Sequence, residues 1–216
     1  MTVRMRNAIP TMEHAALDIA EAVWTNIQKH GHIGLELEFR LGHALPNHFS
    51  PNVGRTQFHN LKKQLDASTK FDRVLDIETI EKIGDVKHVT TLGMTDAGQH
   101  APPPPSFCMT KTKVFQKDVV AENTPYTLRC SLAVERIVPL KPVNSRRTRH
   151  KKRRRYIYKC WAFDLTEVVS NTDIDTEESY EVEIELLDTG MLFERTMDSL
   201  AEWGLALVQD VLKMLH

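Results

Sequence analysis

The chain has 216 residues, 41% of them hydrophobic and 26% charged, which suits one sizeable globular domain. The formal net charge of −1 names no partner, so attraction to a polyanion has to come from a local patch. Three scattered cysteines, Cys108, Cys130 and Cys160, exclude a C-x-x-C zinc knuckle or redox dithiol and suit a reducing compartment.

The basic N-terminus lacks the apolar core of a secretory signal. No stretch approaches the roughly 18 apolar residues of a membrane span. The expectation is a soluble, intracellular protein with no membrane partner. Residues 11–30 repeat Met12, Ala15, Ala16, Ile19, Ala20, Val23, Trp24 and Ile27 at helical spacing, with Gly31 as the stop. Residues 32–42 alternate Ile33, Leu35, Leu37, Phe39 and Leu41 with polar positions, which is a strand with one apolar and one charged face. Residues 55–68 carry Phe58, Leu61 and Leu65 and predict a short helix.

Strands are then expected at 72–82, 84–92, 107–116, 125–137, 151–160, 161–169 and 179–188. Loops are expected at 93–106, whose four prolines cannot join a ladder, at the basic 138–150 and at 170–178. A closing helix is expected at 192–216, with Leu200, Trp203, Leu207, Val211 and Leu215 on one face. The predicted fold is α+β and β-dominated, an eight-stranded antiparallel barrel whose closure removes sheet edges. The expected organisation is an N-terminal helical segment at 1–31, the barrel at 32–190, and a C-terminal helix at 191–216 packing on it.

Glu36, Glu38 and Arg40 share one face of the first strand, spaced roughly 7 Å apart. Glu181, Glu183 and Glu185 share one face of the last. Read singly, each row suits a solvated outer surface. Together they put five carboxylates on two strands whose other faces are apolar, and like charges side by side need compensation. A hard divalent cation with oxygen ligands supplies it.

In the basic run 146–155, Arg149, Lys151, Arg153 and Arg155 alternate and share a face. A solvated loop or a nuclear localisation signal would account for the run. The alternative is a clamp on phosphoryl oxygens. Lys87, Lys111, Lys113 and Arg129 stand on other strands, Glu135 shares the face of Arg129, and Asp164 and Thr166 share another. The ten histidines show no metal-ligand spacing, Ser131 has no evident triad partners, and no phosphate-binding P-loop is present. No cysteine nucleophile motif suggests a covalent phosphoenzyme.

At these residues the sequence resembles the triphosphate tunnel metalloenzymes, in particular the mRNA-capping RNA triphosphatases of fungi, protists and large DNA viruses. LELEFRLG is similar to the family's first-strand glutamate motif and YEVEIEL to its last. VKHVTT, TKTKV, LRCSLAVE, RHKKRRRY and FDLTEV follow in the family's order, so the resemblance spans about 32–188.

The resemblance implies an eight-stranded antiparallel tunnel that hydrolyses the γ-phosphate of triphosphate-ended RNA, the first step of capping, and NTPs with manganese. It implies Mg²⁺ or Mn²⁺ held by Glu36, Glu38 and Glu185. Glu183 and Asp164 would hold metal-bound waters or basic side chains, and Glu135 and Glu181 would orient the attacking water. Lys87, Lys113, Arg129, Lys151 and Arg153 would contact phosphate, with Thr166 in support. Arg40, Lys111, Arg149 and Arg155 are further cations available to substrate.

One position departs from the pattern. The family usually carries arginine two residues before the aspartate; here it is Ala162, and Arg155 is the candidate substitute. The role further implies nuclear residence, or a cytoplasmic or virion-associated place if viral, a guanylyltransferase partner, and a monomer or homodimer. A tunnel hydrolase of tripolyphosphate or another small triphosphate is an alternative. A non-catalytic RNA-binding barrel is a second.

Overall fold

The computed structural model describes residues 12–31, 34–96, 99–101, 106–120, 124–188 and 197–214. The prolines at 102–105, Ile33, residues 192–196 and 215–216 of the expected closing helix, and the side chains of Met12, Ala15, Ala16 and Leu200 lie outside that set. The helices are α1 (Met12–His30), α2 (Arg55–Asp66) and α3 (Met197–Met214). The strands are β1 (Leu35–Ala44), β2 (Phe49–Ser50), β3 (Arg73–Ile83), β4 (Lys87–Asp96), β5 (Gln99–Ala101), β6 (Phe107–Val120), β7 (Thr127–Val138), β8 (Arg147–Tyr158), β9 (Trp161–Thr172) and β10 (Thr176–Leu186).

Eight strands pair antiparallel in the order β10-β9-β8-β3-β4-β6-β7-β1, and β1 returns to β10. The expected eight-stranded closed barrel therefore forms. The short β2 and β5 hang on β1 and β4.

The apolar faces of β1, β7, β9 and β10 point out of the barrel. Leu37, Phe39, Leu41, Leu128, Leu132, Trp161, Leu165 and Ile184 form one core with Ile19, Val23 and Ile27 of α1, Phe58, Leu61 and Leu65 of α2, and Val208 and Val211 of α3. The hydrophobic core thus lies between barrel wall and helices, and the interior beside the β1–β10 seam is left to charged side chains. Phe39 and Trp161 sit with ring centroids 6.0 Å apart. They press on Gly204 of α3, where a Cβ would come within 2.9 Å of the Phe39 ring. Truncating a buried aromatic of this kind costs about 3–5 kcal/mol.

Strand enters all three expected loops, although 139–146 is the connection expected there. Backbone pairing carries β4 to Asp96 and turns it into β5, so 93–106 is not a single loop. The basic run is in the sheet from Arg147, and every residue from 147 to 157 pairs with β3. β9 and β10 extend to Thr172 and Thr176, leaving a tight turn whose Thr172 amide donates to the Asp175 carbonyl at 2.8 Å. Polar composition misled in each case, because strands that face a charged interior need no apolar alternation. No helix among the described residues is long and apolar enough to cross a membrane.

Candidate active site

Strand alternation decides which side chains enter the barrel. Directly opposed residues share a face, so the register carries Glu38 to Glu185 and Arg40 to Glu183 across the β1–β10 seam. It carries Glu183 to Asp164 and Glu181 to Thr166 across β10–β9, and Asp164 to Arg155 and Thr166 to Arg153 across β9–β8. The strand faces read from sequence therefore all enter one interior. The cavity there is about 880 Å³. Its lining carries nine basic and seven acidic side chains, and Asp164 and Glu181 face inward behind them, so opposed charges nearly balance.

The charges are interlocked. Arg40 reaches Glu38 at 3.2 Å and also pairs with Glu183. Lys111 pairs with Glu36 and lies 3.7 Å from Glu38 and 3.5 Å from Glu135. Arg153 is 3.1 Å from Asp164, 3.6 Å from Glu183 and donates to Thr166 Oγ1 at 3.3 Å. Arg149 binds Glu181 at 2.6 Å. The two carboxylates expected to orient water thus differ. Glu181 is buried and held by Arg149, while Glu135 lines the cavity with a quarter of its side chain exposed.

Burial alone would push the Glu183 carboxyl up, but Arg40, Arg153 and Lys151 outweigh it and hold it well below the usual range. Glu185 behaves oppositely. Burial, with Asp164 and Glu36 adding repulsion, outweighs Arg155 and pushes it up to about 7. Glu38 is also raised, first by burial and then by Glu183 and Glu36 against Arg40. Among the cations, burial holds Lys151 below its ordinary value.

Glu38 and Glu185 on the seam are thus short of positive charge, and with Glu36 beside them they make an oxygen-only donor set of the kind that suits a hard divalent cation. Among the described residues no three such groups are already gathered about one point. Lys111 and Arg155 hold those carboxylates, and a metal ion has to draw them away.

Arg155 fills the place left by Ala162. Its Nε and Nη2 grip Asp164 at 2.8 and 2.6 Å, and the same Nη2 reaches Glu185. Lys111 and Lys113 both line the cavity, since they stand two apart before a bulge that shifts the register between Lys113 and Phe115. Arg129 lines it too, but its guanidinium is gripped by Asp118 at 2.7 and 2.8 Å and lies 4.2 Å over the Phe49 ring. A phosphate contact by Arg129 would therefore have to compete with Asp118. Gly34 brings β1 and β7 together, with φ at +75° and its carbonyl accepting from the Glu135 amide at 2.7 Å. That contact sets Glu135 beside Glu36.

Two residues escaped the sequence reading. Glu81 of β3, 6% exposed, gathers Lys151 at 3.1 Å, Lys87 at 3.6 Å and Arg149 at 3.8 Å. Its signal was the alternation of Ile77, Thr79 and Glu81, hidden because the first member is apolar. Asp118 falls on the inner face only because of the β6 bulge, which a count of two from Lys111 cannot reveal.

A closed antiparallel tunnel whose apolar face meets the helices and whose interior sets carboxylates against lysines and arginines is the fold and site of a triphosphate-hydrolysing barrel. The chain belongs to the family described as the mRNA capping enzyme beta chain, whose profile matches residues 42–202. The 5′ RNA triphosphatase A449R of Paramecium bursaria Chlorella virus 1 is 29% identical over 189 residues, covering 86% of this chain and 92% of that protein. The Pct1 RNA triphosphatase of S. pombe has the same fold, with a TM-score of 0.71 at 16% identity over 100% of this chain and 98% of that one. The mimivirus capping enzyme triphosphatase superposes at a TM-score of 0.56 and 16% identity, over 94% of this chain and 97% of that one.

Proposed function

We propose that this chain removes the γ-phosphate from triphosphate-ended RNA as the first step of mRNA capping, and hydrolyses NTPs at the same site. Membership of the capping family supports the reaction. The observation that carries it is unused donor capacity on two tunnel arginines that are otherwise ion-paired. The Nε atoms of Arg40 and Arg149, both on the cavity lining, are buried with no hydrogen-bond partner. Buried donors of this sort are costly unless satisfied, and phosphoryl oxygens would satisfy them.

The chain's own residues act by position and charge. Lys87, Lys113, Arg149, Lys151 and Arg153 surround the γ-phosphoryl group and offset the charge on its equatorial oxygens. Glu135, the more accessible of the two candidate bases, holds a water in line and takes its proton. The new bond joins that water's oxygen to Pγ. The bond to the β–γ bridging oxygen breaks, and its electron pair leaves with the β-phosphate. Glu36, Glu38 and Glu185 would hold Mg²⁺ or Mn²⁺, which when bound supplies Lewis acidity and a template for the γ-phosphate. Such a protein works where new transcripts present triphosphate ends, in the nucleus or at a site of viral transcription, ahead of a guanylyltransferase.

The test is release of labelled phosphate from γ-labelled triphosphate-ended RNA, with and without Mn²⁺, against tripolyphosphate and ATP. Metal-dependent release from RNA is expected. Release from tripolyphosphate alone would reassign the substrate, and chelator-insensitive RNA binding without release would make the chain a binding barrel.

A further inference from the structure

The charged network uses only part of the cavity. The wall formed by β3, β4 and β6 also presents Ile77, Ile83, Val86, Val89, Phe107 and Met109 to the same space. None of these six joins the core between barrel and helices. Val89 and Met109 are each 7% exposed, whereas Phe107 is half-buried. Phe107 is the only aromatic side chain on the lining among the described residues, and among them it stacks on no other ring.

Position makes this patch informative. Phe107 pairs directly with Val89, and Lys87 stands two residues from Val89 on the same face. Phe107 and Lys87 are therefore a diagonal cross-strand pair, their backbone positions roughly 7–8 Å apart. That is one step along a nucleotide, from its phosphates to its base. Ser106 Oγ donates to Thr90 Oγ1 at 3.3 Å and ties the residue before Phe107 to β4. The cavity, at about 880 Å³, has the size of pockets that enclose a whole drug-sized ligand, more than a triphosphate group alone requires.

We propose that this wall is a subsite for the base of the 5′-terminal nucleotide, with the Phe107 ring as its stacking platform and Val89 and Met109 beneath it. The inference rests on the reading that the neighbouring cations take the triphosphate. Stacking tolerates every base because each has a π-face. The larger purine face gains more from it, so purine-initiated ends bind more tightly than pyrimidine-initiated ones.

The experiment compares a ligand with a base and one without. Wild-type protein and Phe107→Ala are assayed on triphosphate-ended RNA, with inorganic tripolyphosphate as competing inhibitor. Loss of the platform raises KM for RNA roughly tenfold and leaves the tripolyphosphate inhibition constant within about twofold. Phe107→Trp restores KM. An unchanged KM in Phe107→Ala, or KM and the inhibition constant rising together, overturns the subsite. Absence of any phosphate release from RNA by the wild type overturns the RNA triphosphatase reading instead. Equilibrium binding of ATP against tripolyphosphate to the same proteins then decides the subsite.

Discussion

Glu38 of β1 stands directly opposite Glu185 of β10 at the seam that closes the barrel. Like charges so placed repel, and each carboxyl is raised, chiefly by burial. Glu38→Gln or Glu185→Gln relieves the repulsion and removes a ligand. Phosphate release should fall about a hundred- to a thousand-fold, the scale of a lost electrostatic group in a catalytic site. Melting temperature should not drop. Mn²⁺ should raise the melting point of the wild type by several degrees, since a ligand bound only to the native state stabilises it, and should leave Glu38→Gln unmoved. A full metal-induced shift in the variant would remove Glu38 from the metal site.

Arg155 grips Asp164 with two nitrogens, beside Ala162 on the same inner face. Arg155→Ala leaves Asp164, which is fully buried, with only Arg153 for charge compensation. Removing one member of a buried ion pair costs about 3–5 kcal/mol; because Arg155 is partly open to the cavity, the lower end is expected. Urea unfolding measures this directly. Placing arginine at 162 in the Arg155→Ala background should recover part of the loss.

Lys111 and Lys113 separate two roles. Lys111 is tied to three carboxylates, whereas Lys113, among the described residues, reaches only Gln116. Lys113→Ala should raise KM for RNA several-fold, on the order of one lost charge-assisted hydrogen bond, without changing stability. Lys111→Ala should lower kcat, because it removes the cation that positions the candidate base Glu135. Identical kinetic signatures for the two variants would argue against the division.

Acid sensitivity should trace to Glu81. Burial opposes its ionisation, but Lys151, Lys87 and Arg149 prevail and hold it below its ordinary value of 4.5. A carboxylate with a folded pKa below its unfolded one adds stability that is complete above the unfolded value. That stability disappears as pH falls through the folded value. Urea midpoints taken at descending pH should therefore decline less steeply in Glu81→Gln than in the wild type. Parallel declines would show that Glu81 titrates normally.

The glutamate rows were legible because β1 and β10 obey strict alternation with apolar partners, so Glu36, Glu38, Glu183 and Glu185 had to share an enclosed face once the barrel closed. The basic face of β8 was legible only from the spacing of Arg149, Lys151, Arg153 and Arg155, since His150, Lys152 and Arg154 on its other face are polar too. What escaped depends on register and contact. No spacing rule shows that Asp118 occupies Arg129, or that a bulge after Lys113 turns Gln116 and Asp118 inward. Glu81 was hidden by isoleucine neighbours on its own face. The strand ends at 147–150 and 170–178 read as loops because an interior built of charge reverses the usual meaning of polar sequence.

Three paired positions join the first barrel strand to the last. Glu38 and Glu185 enter the ribosome's exit path far apart in time, and contacts of such long range form late. A nascent chain is therefore inert toward every transcript around it until β10 has emerged. Cutting the coding region anywhere between these strands would yield two silent halves, able to act only if they found one another and stitched the seam.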